Sequence, residues 1–203
     1  MTISIFVSEA PNVFQCILKK WCTFGLPIAI VKSGKVYYEF TIFSGNWSKA
    51  YPQAGWATPE FEKRLGEYSS KGCGDDEFSW GVDGMRHRKW HSGHTSFDVS
   101  WRSGDTIGVA IDVNAKKCFF GQNGEWKEGF SDMKKIEGGV YPCLSMGHCE
   151  ITLNLGSAPF LFPGPTPEFL PVCAIGSDAA LQLELIRGTT DSFTKTLRRV
   201  TDT

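Results

Sequence analysis

The chain has 203 residues, of which 41% are apolar, 13% aromatic and 21% charged, and its formal net charge is -1. This composition is typical of one well-buried soluble domain with an extension, and it argues against a disordered chain. A balance so close to neutral gives no long-range field for phosphate backbones or anionic lipid, which disfavours generic nucleic-acid or membrane-surface binding.

The N-terminal residues predict neither a secretion signal nor a membrane span. The opening MTISIFVSEAPNVF has no basic region before its apolar residues and no small-residue cleavage pattern. The longest mainly apolar run, FGLPIAIV at 24–31, is far shorter than a bilayer span and contains a proline. We therefore expect a cytoplasmic protein without membrane contact.

Apolar residues alternate along three runs that lie far apart in the sequence. In the first run, Val36, Tyr38, Phe40 and Ile42 fall on one face, and the same period of two recurs at 107–113 and 151–155. This period predicts half-buried antiparallel strands, which must share one core.

Turn signals separate these runs at short intervals. They are SGK at 33–35, DG at 83–84, SGD at 103–105, NG at 123–124 and GG at 138–139. Short strands, frequent turns and almost no helical period predict an antiparallel sandwich or barrel.

The composition changes near residue 159, where five prolines fall within 159–171. Such a segment cannot supply a central strand, so we expect it to cross the surface as the exit of the domain. Beyond it, Leu181, Leu183 and Leu185 alternate as in a strand, whereas residues 193–200 have helical spacing. The C-terminal extension is predicted as a strand or a short helix.

Catalytic and metal-binding patterns are weak. There is no G-x-S-x-G motif, and the seven cysteines are odd in number without a C-x-x-C pair, so we expect reduced, buried thiols. His91, His94, His148 and Cys149 are zinc-ligand types, but positions 91 and 94 of a strand point to opposite faces. Polar loop histidines are the better interpretation.

The acids of GDDE at 74–77 lack the dense Asp/Asn alternation of a calcium loop. A solvated turn that enters the strand FSWGV is the favoured interpretation.

The stretch SWGVDGMRHRKWHSG at 79–93 combines tryptophans with basic residues, as single-stranded nucleic acids require. The alternative is a hairpin in which Trp80 and Trp90 fill the core and the cations lie at an exposed tip. The near-neutral charge of the chain favours the hairpin.

Eight motifs, in order, resemble the SPRY domain, the core of the B30.2 module. They are SGKVYYEFTI (33–42), AGWATPEF (54–61), GDDEFSWGVDG (74–84), KWHSG (89–93), WRSGDTIGVAIDV (101–113), CFFGQNGEW (118–126), GVYPCLSM (139–146) and ITLNLGSAPFLF (151–162). The likeness is greatest to the SPRY domains of calcium-release channels, large ubiquitin ligases and SOCS-box proteins.

The resemblance implies an all-β fold, a twisted antiparallel β-sandwich of two sheets related to the jelly roll. It divides the chain into divergent N-terminal strands (1–32), the SPRY core (33–162) and a Pro-rich exit with a C-terminal extension (163–203). It also implies a non-catalytic module that binds a protein or a peptide and needs no cofactor or metal, and for its unknown oligomeric state we favour a monomer.

The family's peptide site is formed by loops at one end of the sandwich. Carried over by motif, it comprises Thr58, Pro59 and Glu60 after AGWA, Tyr68 in the next loop, and Ser145 and Met146 before GHCE. Tyr68 is the strongest candidate, because an exposed loop tyrosine offers a large rigid surface with one hydroxyl.

Met146 stands where SOCS-box proteins carry a tryptophan, so their peptide preference is not expected to transfer unchanged. Arg86, His87 and Arg88 are predicted as a secondary contact. Two alternatives stay open, a lectin-like carbohydrate site near GNW at 45–47 and RNA binding at the basic hairpin tip.

Overall fold

The computed structural model describes residues 4–7, 13–18, 20–63, 71–174 and 184–187. Its strands, in chain order, are β1 (Ser4–Val7), β2 (Val13–Leu18), β3 (Cys22–Gly25), β4 (Lys35–Gly45), β5 (Gln53–Ala57), β6 (Ser79–Asp83), β7 (Arg88–Trp90), β8 (His94–Ser96), β9 (Thr106–Asp112), β10 (Lys117–Gln122), β11 (Glu125–Phe130), β12 (Tyr141–Met146), β13 (Cys149–Asn154), β14 (Leu170–Pro171) and β15 (Glu184–Arg187). Helical structure within these ranges comprises α1 (Trp47–Ala50), α2 (Pro59–Lys63) and one 3₁₀ turn (Val172–Ala174).

The strands form two sheets that pack face to face. Sheet 1 has the order β1-β2-β13-β4-β9-β10-β11, and β14 pairs with β4 outside this path. Sheet 2 has the order β15-β3-β12-β5-β6-β7-β8. Every pairing is antiparallel except that of β14 with β4. The predicted all-β antiparallel sandwich is therefore confirmed.

The core contains the apolar faces that the period of two predicts. In β4, Val36, Tyr38, Phe40 and Ile42 are at most 2% exposed, and the matching faces of 107–113 and 151–155 join the same cluster. The register places Phe40 between Ile107 and Leu153 of the neighbouring strands. Cross-strand apolar pairs of this kind stabilise a sheet, and here they fix the position of β4.

Tyr38 joins the two sheets across the core. Its hydroxyl donates a hydrogen bond of 2.8 Å to the backbone oxygen of Gly55 in β5, and its ring meets Trp56 edge to face at 5.4 Å. Gly55 cannot carry a side chain, because a Cβ atom there would lie 1.8 Å from the Trp80 oxygen. The buried hydroxyl thus has a hydrogen-bond acceptor at a point where the two sheets approach closely.

Residues 156–171, which we call the strap, cross the outer face of sheet 1. The contact between the strap and the sheet buries Tyr37, Ala110 and Phe169. Trp126 donates from Nε1 to the Pro163 oxygen at 3.0 Å. Between 159 and 169 the described backbone forms no strand, in line with the cost of proline in a sheet interior.

Glu39 holds the strap from the outer face of β4. Its carboxylate is 4% exposed and accepts the backbone N–H of Leu161 at 2.9 Å, and the N–H of Phe162 also donates to it. Burial raises the pKa of Glu39, although these donors and Asn154 favour its charged form.

Strands near both ends of the chain belong to the sheets. β2 pairs with β13, and β3 pairs with β12. β15 covers part of the predicted C-terminal strand and pairs with β3. The helix predicted over 193–200 lies outside the described residues.

We predict that Glu39 makes the free energy of unfolding depend on pH and that Glu39→Gln removes this dependence. Because the pKa is raised, the folded protein holds this proton more tightly than the unfolded chain, so the free energy of unfolding falls as pH rises from 4.5 through the raised pKa. Urea denaturation from about pH 4 to 7 measures this slope, which the glutamine variant should lack.

Glu39→Ala removes the acceptor for two backbone N–H groups and should cost about 1–3 kcal/mol at every pH. If the wild type and Glu39→Gln gave the same pH profile, the buried carboxylate would not be the source of the slope.

Candidate functional site

Thr58, Pro59 and Glu60 lie where β5 ends and α2 begins. The Thr58 N–H donates to the Phe78 oxygen at 2.8 Å, and the Thr58 oxygen accepts the Phe61 N–H at 3.0 Å. The Thr58 side chain is fully buried, and its Oγ1 has no hydrogen-bond partner among the described residues. Pro59 and Glu60 are partly exposed. Of the three predicted contacts, only these two reach the surface.

Ser145 and Met146 do not lie on the surface. Both side chains have an exposure of 0%. Ser145 Oγ hydrogen-bonds Thr23 Oγ1 at 2.7 Å and accepts the Cys73 N–H at 2.7 Å, and Met146 belongs to the main core cluster. The prediction that they contact a partner directly is corrected by this burial, because β12 is covered on both faces.

The register of β5 and β12 separates the predicted contacts. Ala57, which precedes Thr58, pairs with Tyr141, whereas Ser145 pairs with Gln53 at the other end of the same strand. Four residues of strand correspond to about 13 Å. The structure therefore does not bring Pro59 and Glu60 together with Met146. Tyr68, the strongest candidate, lies outside the described residues.

Residues 71–78 fold over the outer face of sheet 2. Cys73 packs with Phe61 and Tyr141 in a second buried cluster, and a Cβ atom on Gly81 would lie 2.5 Å from the Cys73 oxygen. This close approach needs glycine in β6. Residues 71–78 are thus held firmly on the sheet.

The acids of this segment have structural contacts. Asp75 accepts the Gly72 N–H at 2.7 Å and Gln53 Nε2 at 2.9 Å. Asp76 Oδ1 accepts the Phe78 N–H and the Ser79 hydroxyl, each at 2.9 Å. These bonds stabilise the turn that enters β6, which agrees with the turn interpretation of GDDE.

Strands β6 and β7 form the predicted hairpin. Asp83, whose side chain is 0% exposed, accepts the N–H groups of Met85 at 2.7 Å and Arg86 at 2.9 Å, and it also accepts Arg86 Nε. This buried carboxylate fixes the turn, because three donors replace the water that it loses.

The two tryptophans of the hairpin have different environments. Trp80 is 1% exposed in the core, as predicted, and stacks on His91 at 4.7 Å. Trp90 is only partly buried and lies outside the core clusters, so its predicted core position is wrong. Lys89 takes the inward direction instead, and its ammonium donates to the Gly129 oxygen of β11 at 2.6 Å.

The basic tip is less solvated than the sequence suggests. Arg86 and Arg88 are partly buried against Trp90, with Cζ 4.4 Å and 5.9 Å from its ring centroid. His87 is exposed, has a positive φ of 55° and contacts the Val99 oxygen through Nδ1. Two tryptophan faces are therefore not available as a row of stacking platforms.

The thiols are poorly suited to nucleophilic chemistry. Six of the seven cysteines are buried and all are free. Burial raises the pKa of Cys22 and of Cys149 to about 12, so both stay protonated at neutral pH. No group of three or more His, Cys, Asp or Glu in the described ranges has a geometry that could hold a metal ion.

The GNW alternative has limited support. Asn46 is exposed, and its N–H donates to the His148 oxygen at 2.8 Å, which ties this loop to the β12–β13 turn. Next to it, Tyr51 is 43% exposed and was not among the predicted contacts. The sequence signal that could have indicated it is a large aromatic residue directly before Pro52, after a short polar loop.

Comparison with known proteins identifies the family. The family model described as SPRY domain matches residues 35–158. The chain belongs to the SPRY domain family. The strands of both sheets around β4, β5, β6 and β9 fall within this match, and the SPRY core therefore contains the hairpin and the α2 region described above.

Two of the curated relatives are as follows. The chain is 31% identical over 163 residues to "E3 ubiquitin-protein ligase RKP" of Arabidopsis thaliana, a match to 78% of this chain and 12% of the ligase. It is 29% identical over 130 residues to "Probable ATP-dependent RNA helicase ddx1" of Dictyostelium discoideum, a match to 64% of this chain and 15% of the helicase. The chain thus corresponds to a small part of each relative.

No helix in the described part of this SPRY chain is long and apolar enough to cross a membrane.

We predict different costs for the two arginines of the SPRY hairpin. Arg86→Met leaves the Asp83 carboxylate buried without its charged partner and should lower the free energy of unfolding by about 3 kcal/mol. Arg88→Met removes no ion pair among the described residues and should change it by about 0.5 kcal/mol or less. Urea denaturation of both variants measures the difference, and equal losses would contradict the assigned role of Asp83.

Proposed function

We propose that the chain is a non-catalytic interaction module that binds a short peptide or a protein surface through loops of the sandwich. The observation that carries this proposal is the SPRY match over 35–158, on a fold that fixes its loops by buried polar contacts. Protein interaction is the common role of this family. The buried thiols and the structural use of Asp75, Asp76 and Asp83 agree with a binding role.

The proposed contact surface is the exposed part of α2 together with residues that follow it in the chain. It includes Pro59, Glu60 and Tyr68. Thr58 supports α2 from inside, and Ser145 supports residues 71–75 from beneath through the Cys73 N–H. Recognition by loops on a rigid sandwich allows the binding residues to differ between proteins while the core is kept.

The relatives suggest a context for such a module. One is named as a ubiquitin-protein ligase, and the chain corresponds to 12% of its length. We infer that this chain works as a substrate-recognition or scaffold part beside other functional parts, in the cytoplasm and as a monomer. The ligase reaction itself would belong to other domains.

The test compares the amount of partner protein captured by the wild type with the amounts captured by Tyr68→Ala and Glu60→Ala. Each variant should capture about fivefold less of its specific partners, or less still, as expected for interface residues that each contribute about 1 kcal/mol. Phe43→Ala and Glu125→Ala are matched controls, because both residues are exposed and lie away from α2.

Circular dichroism and thermal melting establish that each variant is folded. If both test variants captured the same partners as the controls did, this surface would not be the binding site.

A further inference from the structure

One end of the sandwich combines strained, aromatic and cationic features that the α2 surface does not use. At this end β4 passes through α1 into β5, and the β6–β7 turn lies beside it, since Ala54 pairs with Val82. The Gly147 N–H donates to the Ala50 oxygen at 3.1 Å, which fixes the loop. We call this region, comprising residues 46–51 and 84–88, the α1 end.

Arg86 and Tyr51 of the α1 end form a stack with Trp90, which lies two residues beyond Arg88. The Arg86 guanidinium lies over both rings, with Cζ 5.1 Å from the Tyr51 centroid and 4.4 Å from the Trp90 centroid. Asp83 accepts Nε, which holds the guanidinium in place. The Arg86 side chain is 31% exposed, and no described residue accepts a hydrogen bond from its Nη groups. This is a preorganised fork of the kind that binds carboxylates.

Tyr51 has an unfavourable backbone conformation. Its φ of 38° and ψ of 54° are left-handed, and it directly precedes Pro52. Glycine is the usual residue at such a helix C-terminus, and a bulky side chain there is an outlier. Because Tyr51 is 43% exposed, burial gives little compensation. Strain kept at an exposed aromatic residue points to a function for its side chain.

The cations of the α1 end lack acidic partners. Lys49 is exposed, and neither Lys49 nor Arg88 has a carboxylate partner within the described ranges. Elsewhere in those ranges, six lysines each lie within 4 Å of an acid: Lys35, Lys116, Lys117, Lys127, Lys134 and Lys135. In a chain of net charge -1, the α1 end is therefore a local excess of positive charge.

We propose that the α1 end binds an acidic peptide segment of a partner protein. Lys49, Arg86 and Arg88 meet its carboxylates, and an apolar or aromatic side chain of the peptide lies on the exposed face of Tyr51. Opposite charge steers such a segment to the site, and the Arg86 fork gives it a fixed orientation. This surface adjoins the Gln53 end of β5, whereas Pro59 and Glu60 follow its Ala57 end, so it is a second contact.

The stack favours a peptide over a single-stranded nucleic acid. Trp90 has Arg86 at 4.4 Å from its centroid and His94 at 4.7 Å, so its ring is already engaged. Of the two rings beside Arg86, that of Tyr51 is the more exposed, whereas single-strand binding uses successive aromatic platforms.

The test measures binding of two fluorescent probes to the whole 203-residue chain by anisotropy. One probe is a peptide of aspartate and glutamate around a central tryptophan, and the other is an oligouridine. Lys49→Glu and Arg88→Glu should each weaken peptide binding by about tenfold. Lys32→Glu is the matched control. Lys32 is exposed and lies before the first residue of β4, whereas the α1 end begins after the last residue of this strand.

Tyr51→Gly separates function from folding. It removes the ring but relieves the left-handed strain, so peptide binding should fall by about tenfold while the melting temperature changes by less than about 3 °C. Absence of peptide binding, an equal loss in Lys32→Glu, or tighter binding of oligouridine that the same variants abolish would overturn the proposal.

Discussion

Residues 36–40 of strand β4 are buried on both faces of the strand, and each face positions a different part of the molecule. The inner face, with Tyr38 and Phe40, enters the core and reaches the backbone of sheet 2 through the Tyr38 hydroxyl. The outer face, with Tyr37 and Glu39, holds the strap by packing and by hydrogen bonds to its backbone. Burial of the outer face removes the Glu39 carboxylate from water, which is unfavourable. Hydrogen bonds from the N–H groups of the strap offset that cost.

The second sheet holds residues 71–78 by a different means. Its outer face is covered by residues 71–78, whose backbone approaches β6 so closely that Gly81 has no room for a side chain. Ser145 joins this segment to β12 and β3 through Cys73 and Thr23. Buried polar contacts specify one position for the segment, because each would be costly to leave unpaired.

Charge is distributed unevenly over this SPRY domain. Lysines on β10, β11 and the residues after β11 are neutralised by neighbouring acids. At the α1 end, by contrast, the one acid that pairs with Arg86 is buried, so it fixes geometry rather than cancelling the surface charge of Lys49 and Arg88. Net charge alone gives no indication of this asymmetry, because it is a sum over the chain that carries no information on position.

The fold could be predicted far better than the site. Alternation along 36–42, 107–113 and 151–155 identifies the core faces, because a strand exposes successive side chains to opposite sides whatever its partners are. The series of family motifs then fixes the order of the elements. Trp90 shows the limit of this reasoning, since a three-residue strand carries too few positions to decide which of Lys89 and Trp90 faces inward.

The site depended on register and packing. Motif position grouped Glu60 with Met146, but Glu60 follows the Ala57 end of β5, whereas Met146 follows Ser145, which pairs with Gln53 at the other end of β5. Likewise, Thr58 and Ser145 are polar but buried. The Cys73 backbone N–H donates to Ser145, whereas neighbouring residues cover the Thr58 side chain. The sequence by itself determined the fold class, the core faces and the family. Only the tertiary structure decided which side chains reach solvent and which charges meet, because both depend on contacts between residues far apart in the chain.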